Sequence, residues 1–145
     1  MSLEIIATVC AGFFAGAAVY VSLVEHPARL ECSPTVAVAE FAPSYRRAAL
    51  LQASLALVGC ASAVAGWWFS GDRWVLTAGI LLGSVVPFTL VAILPTNRRI
   101  LDPRLDPASD DAAGLLRRWG SLHAVRSVLG AAAFLLLLAH LHAGS

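Results

Sequence analysis

The stretch WVLTAGILLGSVVPFTLVAIL, residues 74–94, carries no charged side chain and decides the fold class of this chain. From Gly79 onward it has no polar face, whereas a helix of a soluble protein keeps one. Three further long apolar runs, residues 3–24, 48–69 and 122–141, flank it. Each run approaches the roughly 20 residues that a membrane-spanning helix needs. The sequence therefore predicts an all-α integral membrane four-helix bundle with ordered first and third connections.

The composition excludes several other classes of protein. Of the 145 residues, 59% are hydrophobic and 13% are charged, against roughly 25% charged residues in ordinary soluble domains. Four spans leave no room for a soluble domain, so residues 1–145 are expected to form a single four-span membrane domain. A net charge of +1 provides no field that would attract nucleic acid, and we expect no nucleic-acid partner. The first run lacks a basic flank and a clear cleavage site, so it is interpreted as a retained span.

The placement of the arginines predicts the orientation in the membrane. The connection between the first and second runs carries three arginines and the third connection carries five, whereas the second connection, residues 70–73, carries one. Cytoplasmic loops are enriched in arginine. We therefore expect a multi-pass protein of the cell (inner) membrane, with both termini outside and the first and third connections in the cytoplasm.

Prolines and capping residues predict how the connections fold. Ser33 followed by proline favours a short helix from there to about residue 42, after which Pro43 would restart the chain. Ser109 followed by two aspartates is typical of a helix start, which predicts one helix from about residue 110 to about residue 140. Pro87 is expected to kink the third span, because it removes a backbone donor.

Small residues at helical spacing predict close helix packing. Gly12 and Gly16, and likewise Gly79 and Gly83, place two glycines on one helix face, which lets backbones approach. We favour packing within one bundle over dimerisation, although a homo-oligomer stays open.

One face of the fourth helix carries the most distinctive polar group. Trp119, His123 and Arg126 are four and three residues apart, so they share a helix face. An arginine this deep in a span is costly and usually faces a partner inside the bundle. The candidate partners are Glu25 and an anionic ligand, and the alternative is an arginine that reaches back to the lipid headgroups.

A second histidine, His26, lies at the same predicted depth as His123. Two histidines on different helices could bind a metal or relay a proton, and histidine is the natural general base near neutral pH. Tyr45 and Gln52 share a face of the second helix, and Asn97 directly follows the third span. These side chains could orient a phenol or carbonyl, or they could be structural.

Three short motifs resemble those of the anthrone-oxygenase-like membrane family. They are Glu25-His26-Pro27, Pro95-Thr96-Asn97-Arg98 and Trp119-x-x-x-His123-x-x-Arg126, set on four hydrophobic helices. The resemblance implies a four-helix integral membrane fold. It also implies insertion of oxygen into an anthrone to give an anthraquinone, without an obvious organic cofactor.

The resemblance also implies roles for particular residues. His26 or His123 would take the acidic C–H proton, and Arg126 with Asn97 or Tyr45 would stabilise the resulting enolate. The carbanion would then react with dioxygen.

The remaining candidates complete the predicted site. Glu25 joins the catalytic group, and Trp119, Gln52, Arg98 and Arg47 are expected to contact the substrate.

Three functions follow from these observations. The first is a membrane oxygenase or oxidoreductase that acts on a lipophilic phenolic, polyketide or quinone-like substrate, with no cofactor beyond dioxygen. The second is a redox protein in which His26 and His123 ligate a transition metal or haem iron, as facing helices often do. The third is a non-catalytic membrane module that binds a lipophile or a partner protein.

Overall fold

The computed structural model describes residues 2–143, in which four long helices and no strand occur. We label them α1 (Ser2–Glu31), α2 (Pro34–Ser70), α3 (Arg73–Ile100) and α4 (Asp110–Ala143). Each is long and apolar enough to cross a membrane. The predicted all-α fold with four membrane-spanning helices is confirmed.

The helices pack as a square. α1 and α3 each pack along both α2 and α4, so α1 faces α3 across one diagonal and α2 faces α4 across the other. Large apolar side chains cover the outside of the bundle; Phe69 is 82% exposed and Val91 is 78% exposed. An apolar surface of this extent fits a lipid environment, since soluble monomers rarely expose one.

Helix ends follow the expected chemistry. The Val36 amide donates to Ser33 Oγ over 3.5 Å at the start of α2, and the Ala112 amide donates to Ser109 Oγ over 3.2 Å near the start of α4. Gly71 ends α2 at φ +71°, a left-handed conformation that glycine adopts without strain. The predicted starts of both helices are therefore confirmed.

The predicted break at Pro43 is wrong, because α2 runs unbroken from Pro34 to Ser70. A proline inside a helix removes one hydrogen bond and usually bends or breaks it. Here the first turns are held by packing instead, since Ala37 and Phe41 are buried against Leu116 and Trp119 of α4. Tertiary contact thus outweighs the local penalty.

Two π-helical turns lie near the ends of the predicted first and third spans, and α1 and α3 continue past them to Glu31 and Ile100. The turns cover Val21–Glu25 and Thr89–Ile93, and in each the next amide donates to the carbonyl five residues back. A proline follows two residues after each turn, Pro27 in α1 and Pro95 in α3. The two helices therefore have the same irregularity at the same end of the bundle, and π-turns of this kind are frequent at functional sites.

The buried interior divides into two clusters. The alanine core comprises Ala7, Ala11, Phe14, Ala18, Ala56, Ala63, Val75, Ala78, Leu82, Val85, Ala133 and Leu137. The Trp119 core comprises Val21, Ala37, Phe41, Ile93, Ile100, Leu115, Leu116 and Trp119. The Trp119 core lies at the end that holds the first and third connections.

Glycines bring the helices together in and around the alanine core. A Cβ on Gly79 would lie 2.9 Å from Ala63 Cβ, and one on Gly83 would lie 2.6 Å from Cys60 Sγ. One on Gly12 would lie 3.0 Å from the Phe134 ring. The predicted packing of these glycines within one bundle is confirmed for three of the four, because a Cβ on Gly16 would meet nothing.

The third connection is ordered by local ion pairs. The Arg104 side chain donates to both carboxylate oxygens of Asp102, and these hydrogen bonds lower the pKa of Asp102 to about 2. Arg99 and Asp111 pair at 3.0 Å between α3 and α4. These exposed pairs shape the loop and add little stability, since water screens them.

Candidate active site

Trp119 organises the polar end of the bundle. Its ring stacks on the His123 ring at 4.7 Å between centroids, and the His26 ring lies 5.1 Å away. Phe41 meets it edge-on at 5.3 Å. The indole is 6% exposed, and it thus joins α1, α2 and α4 in a single aromatic cluster.

Arg126 is a buried cation without a carboxylate partner among residues 2–143. It is 8% exposed, its Nη2 donates to Gln52 Oε1 over 2.7 Å, and its guanidinium lies 5.5 Å from the Phe14 ring centre. Its Nε has no hydrogen-bond partner. Of the two candidate partners of Arg126, Glu25 pairs instead with another arginine.

That other arginine is Arg29, which sequence reasoning assigned only to topology. Arg29 Nη2 lies 2.5 Å from Glu25 Oε1, and Nε pairs with Glu40. Ser44 Oγ donates to the same Glu25 oxygen over 2.7 Å. The guanidinium also lies 5.7 Å from the Trp119 ring centre. The spacing of four residues from Glu25 is the signal that could have identified this pair.

Two serines link His123 to the backbone of α1. Ser22 Oγ lies 3.1 Å from His123 Nδ1 and 2.8 Å from Ser127 Oγ. Ser127 Oγ in turn lies 2.9 Å from the Ala18 carbonyl oxygen and 3.2 Å from that of His123. Ser22 and Ser127 have no special sequence signature, and sequence reasoning missed both.

His26 sits behind Trp119 and outside the cavity. Its Nε2 is buried without a hydrogen-bond partner, and a Cβ built on Gly120 would lie 2.4 Å from that atom. Its Nδ1 lies 3.4 Å from Arg29 Nη1, a cationic group. One ring nitrogen therefore faces backbone and the other faces a cation.

This environment does not fit a metal held by His26 and His123. A ligating nitrogen needs open space toward the ion at about 2 Å, and neither nitrogen of His26 has it. Within residues 2–143, no three His, Cys, Asp or Glu side chains are grouped so that they could hold a metal. The residues present thus give no support to the predicted metal site.

A narrow cavity brings most of the predicted side chains together. Six of them line it: Glu25, Tyr45, Gln52, Trp119, His123 and Arg126. Arg29, Phe41 and Ser44 complete its polar and aromatic wall. The free volume is about 20 Å³, which is room for roughly one water molecule. A larger ligand must therefore displace side chains or occupy adjoining space.

Besides His26, three predicted residues lie outside the cavity. Asn97 is 1% exposed and neither atom of its amide has a hydrogen-bond partner, but it does not line the cavity. Arg47 and Arg98 are exposed and do not line the cavity either.

Fold and site together define a four-helix membrane protein with a buried histidine–arginine cavity at one end. Residues 41–136 match the anthrone oxygenase family, and because this is more than half of the chain, the protein belongs to that family. The matched region contains Tyr45, Gln52, Asn97 and the Trp119–His123–Arg126 face, whereas α1 with Glu25 and His26 lies before it. No curated protein and no solved structure matches the chain. The family suggests a membrane oxygenase-like role.

Proposed function

We propose that this protein is a membrane oxygenase that oxidises a lipophilic phenolic, polyketide or quinone-like substrate at the cavity between Trp119 and Arg126. One observation carries the proposal. A buried cation without a carboxylate partner, Arg126, and a buried histidine, His123, line the same cavity. A general base beside an unpaired positive charge is the arrangement that generates and stabilises an enolate.

The serine chain supports His123, rather than His26, as the base. Ser127 Oγ lies within donating distance of the Ala18 and His123 carbonyl oxygens, which can only accept. In the arrangement in which Ser127 donates to one of them, Ser22 donates to Ser127 and accepts from the N–H of His123 Nδ1. This tautomer leaves the lone pair on His123 Nε2, which is the atom able to take a proton.

Arg126 supplies the positive charge for the developing oxyanion. Gln52 holds the guanidinium through Nη2, and the face of the Phe14 ring supports it. Because no carboxylate within residues 2–143 neutralises it, its charge remains available to a ligand oxygen. Preorganised charge in a dry site is worth far more than in water.

The reaction is balanced with dioxygen as the only co-substrate. A C–H bond next to the substrate carbonyl breaks, its proton passes to His123, and the carbanion forms a C–O bond with dioxygen. Protonation gives a hydroperoxide. Loss of the second proton from the same carbon, with cleavage of the O–O bond, gives a new carbonyl and water. The methylene carbon is oxidised and dioxygen is reduced.

The proposal also implies which partners the site has and on which side of the membrane it lies. Both the bilayer and a small lipophilic substrate would be partners, and the arginine-rich connections would place the site at the cytoplasmic side of the cell (inner) membrane. Both termini would then lie outside.

Oxygen uptake with anthrone in phosphatidylcholine vesicles tests the proposal. We expect one dioxygen consumed per anthrone, and a decrease of at least about 100-fold for His123→Ala and for Arg126→Leu. His142→Ala and Arg118→Leu remove the same side-chain types at exposed positions and should retain full turnover. Equal turnover in all four variants would refute the assignment, and anthrone binding without oxygen uptake would favour a binding module.

A further inference from the structure

A groove between α2 and α3 adjoins the cavity at Arg126. Four residues line both spaces: Tyr45, Ala49, Gln52 and Arg126. The groove continues past Ala53, Ala56, Val85, Val86, Thr89 and Leu90, and its volume is about 190 Å³. It is therefore far roomier than the 20 Å³ beside Trp119.

The groove exists because α2 and α3 separate at this end of the bundle. α2 packs along Arg73–Phe88 of α3 and makes no comparable contact with the rest of that helix. The separation begins where the π-turn Thr89–Ile93 follows Pro87. Ala53 and Leu90 at its rim are exposed on the lipid-facing surface, so the groove opens sideways toward the bilayer.

The side chains that line the groove fit a flat apolar ring system. Ala49, Ala53 and Ala56 are four and three residues apart on one face of α2, which forms a smooth strip without protruding side chains. Val85 and Val86 face this strip from α3. A slot between small and branched aliphatic side chains suits fused rings better than a branched chain.

The inner end of the groove is charged. Arg126 is 8% exposed and lines the groove, and its Nε has no hydrogen-bond partner. A buried donor left unsatisfied costs free energy until a ligand oxygen meets it. The ligand group that fits this buried cation is a weakly acidic oxygen at one end of an otherwise apolar molecule.

We propose that this groove binds the ring system of a flat, weakly acidic lipophile, such as a phenol or an enolised ketone, which enters sideways from the bilayer with its oxygen toward Arg126. The inference rests on the proposed function for the reaction, and it adds the path and the seat of the substrate. A lipid-dissolved substrate needs no aqueous route, which agrees with a cavity too small to admit it from the connections.

Photo-crosslinking tests the groove independently of turnover. A naphthol that carries a diazirine is added to the protein in phosphatidylcholine vesicles, and adducts are mapped by mass spectrometry. We expect adducts concentrated on residues 53–56 and 85–90. We also expect at least tenfold lower yield with the naphthalene analogue that lacks the hydroxyl.

Ala53→Phe fills the mouth of the groove, and Ala61→Phe adds the same ring at an exposed position of α2 that does not line it. The first variant should reduce the adduct yield at least tenfold, and the second should leave it unchanged. Equal adduct yields in the two variants, or adducts spread evenly around the lipid-facing surface, would refute the proposal that the ligand binds in this groove. Loss of oxygen uptake with normal crosslinking would instead count against the reaction alone.

Discussion

The two cores of this bundle are built on opposite principles. The alanine core holds no charged side chain, and seven of its twelve residues are alanine, so backbones pack closely through small side chains. Around the Trp119 core, two histidines and two arginines are buried among aromatic rings. The opposite end of the bundle also buries a charged side chain, Glu4, but His140 Nε2 lies 3.8 Å from its carboxylate. A buried cation without a carboxylate partner among residues 2–143 occurs beside the Trp119 core, at Arg126.

The buried polar atoms without hydrogen-bond partners lie at the Trp119 end of the bundle. Within residues 2–143, the buried side-chain atoms without hydrogen-bond partners belong to His26, Asn97, Trp119 and Arg126. None belongs to the alanine core. Native proteins satisfy most buried polar groups, so a cluster of exceptions needs an explanation. A ligand in the cavity would supply one for Trp119 and Arg126, which line it, whereas His26 and Asn97 lie outside it.

Two buried arginines show the same difference within a single site. Arg29 pairs with Glu25 and Glu40 and receives structural support from both. Arg126 has an amide oxygen and an aromatic face, with no carboxylate among the described residues. The first arginine is therefore expected to stabilise the fold, and the second to serve the ligand.

Arg29→Met should give the largest loss of stability. It leaves Glu25 and Glu40 without their cation, and removing one partner of a buried pair costs 3–5 kcal/mol. We expect about 3 kcal/mol, the low end, because both carboxylates are partly exposed. Unfolding in mixed detergent micelles measures the change in the free energy of unfolding, and Arg118→Met at an exposed position is the control. A loss below that of the control would show that the cluster is not structural.

Gly130→Ala probes the alanine core. The new Cβ would lie 2.5 Å from Phe14 Cδ1, and Phe14 is fully buried, so neither side can give way easily. Overpacking of this kind costs about 2 kcal/mol. Gly16→Ala is the matched control, because its Cβ meets nothing within 4 Å. Equal thermal stability of the two variants would contradict the close packing described for this core.

Gly120→Ala probes the Trp119 core in the same way. Its Cβ would lie 2.4 Å from His26 Nε2. His26 is 6% exposed, whereas Phe14 is fully buried, so the His26 ring has more room to shift and we expect a smaller loss, about 1 kcal/mol. Gly114→Ala on the same helix meets nothing within 4 Å and should be neutral or slightly stabilising, because alanine is the better helix former. A loss larger than that of Gly130→Ala would reverse the order expected for the two cores.

The overall fold could be predicted from the sequence because its signals are local and repeated. Long apolar runs predict spans, and serine caps place the starts of α2 and α4. The break expected at Pro43 was wrong, since the signal of a proline is local while the contacts of Ala37 and Phe41 that hold the helix are not. The π-turns near Pro27 and Pro95 have no simple signature.

The site could be predicted only in part. The shared face of Trp119, His123 and Arg126 follows from spacing on one helix, and these residues do line one cavity. Pairings between helices do not follow from spacing. The sequence could not show that Glu25 pairs with Arg29 and that Gln52 reaches Arg126, because this depends on how α1, α2 and α4 turn about their axes.

The central claim is that Arg126 serves a ligand rather than the fold, and Arg126→Met tests it most directly. Stability in detergent micelles and oxygen uptake with anthrone are measured on the same preparation. Removing a buried charge that no carboxylate pairs relieves its desolvation cost, and this offsets the loss of the hydrogen bond to Gln52. We therefore expect unchanged or higher stability together with at least about 100-fold lower uptake. A protein that loses stability as Arg29→Met does, while its turnover per folded molecule is retained, would contradict the claim.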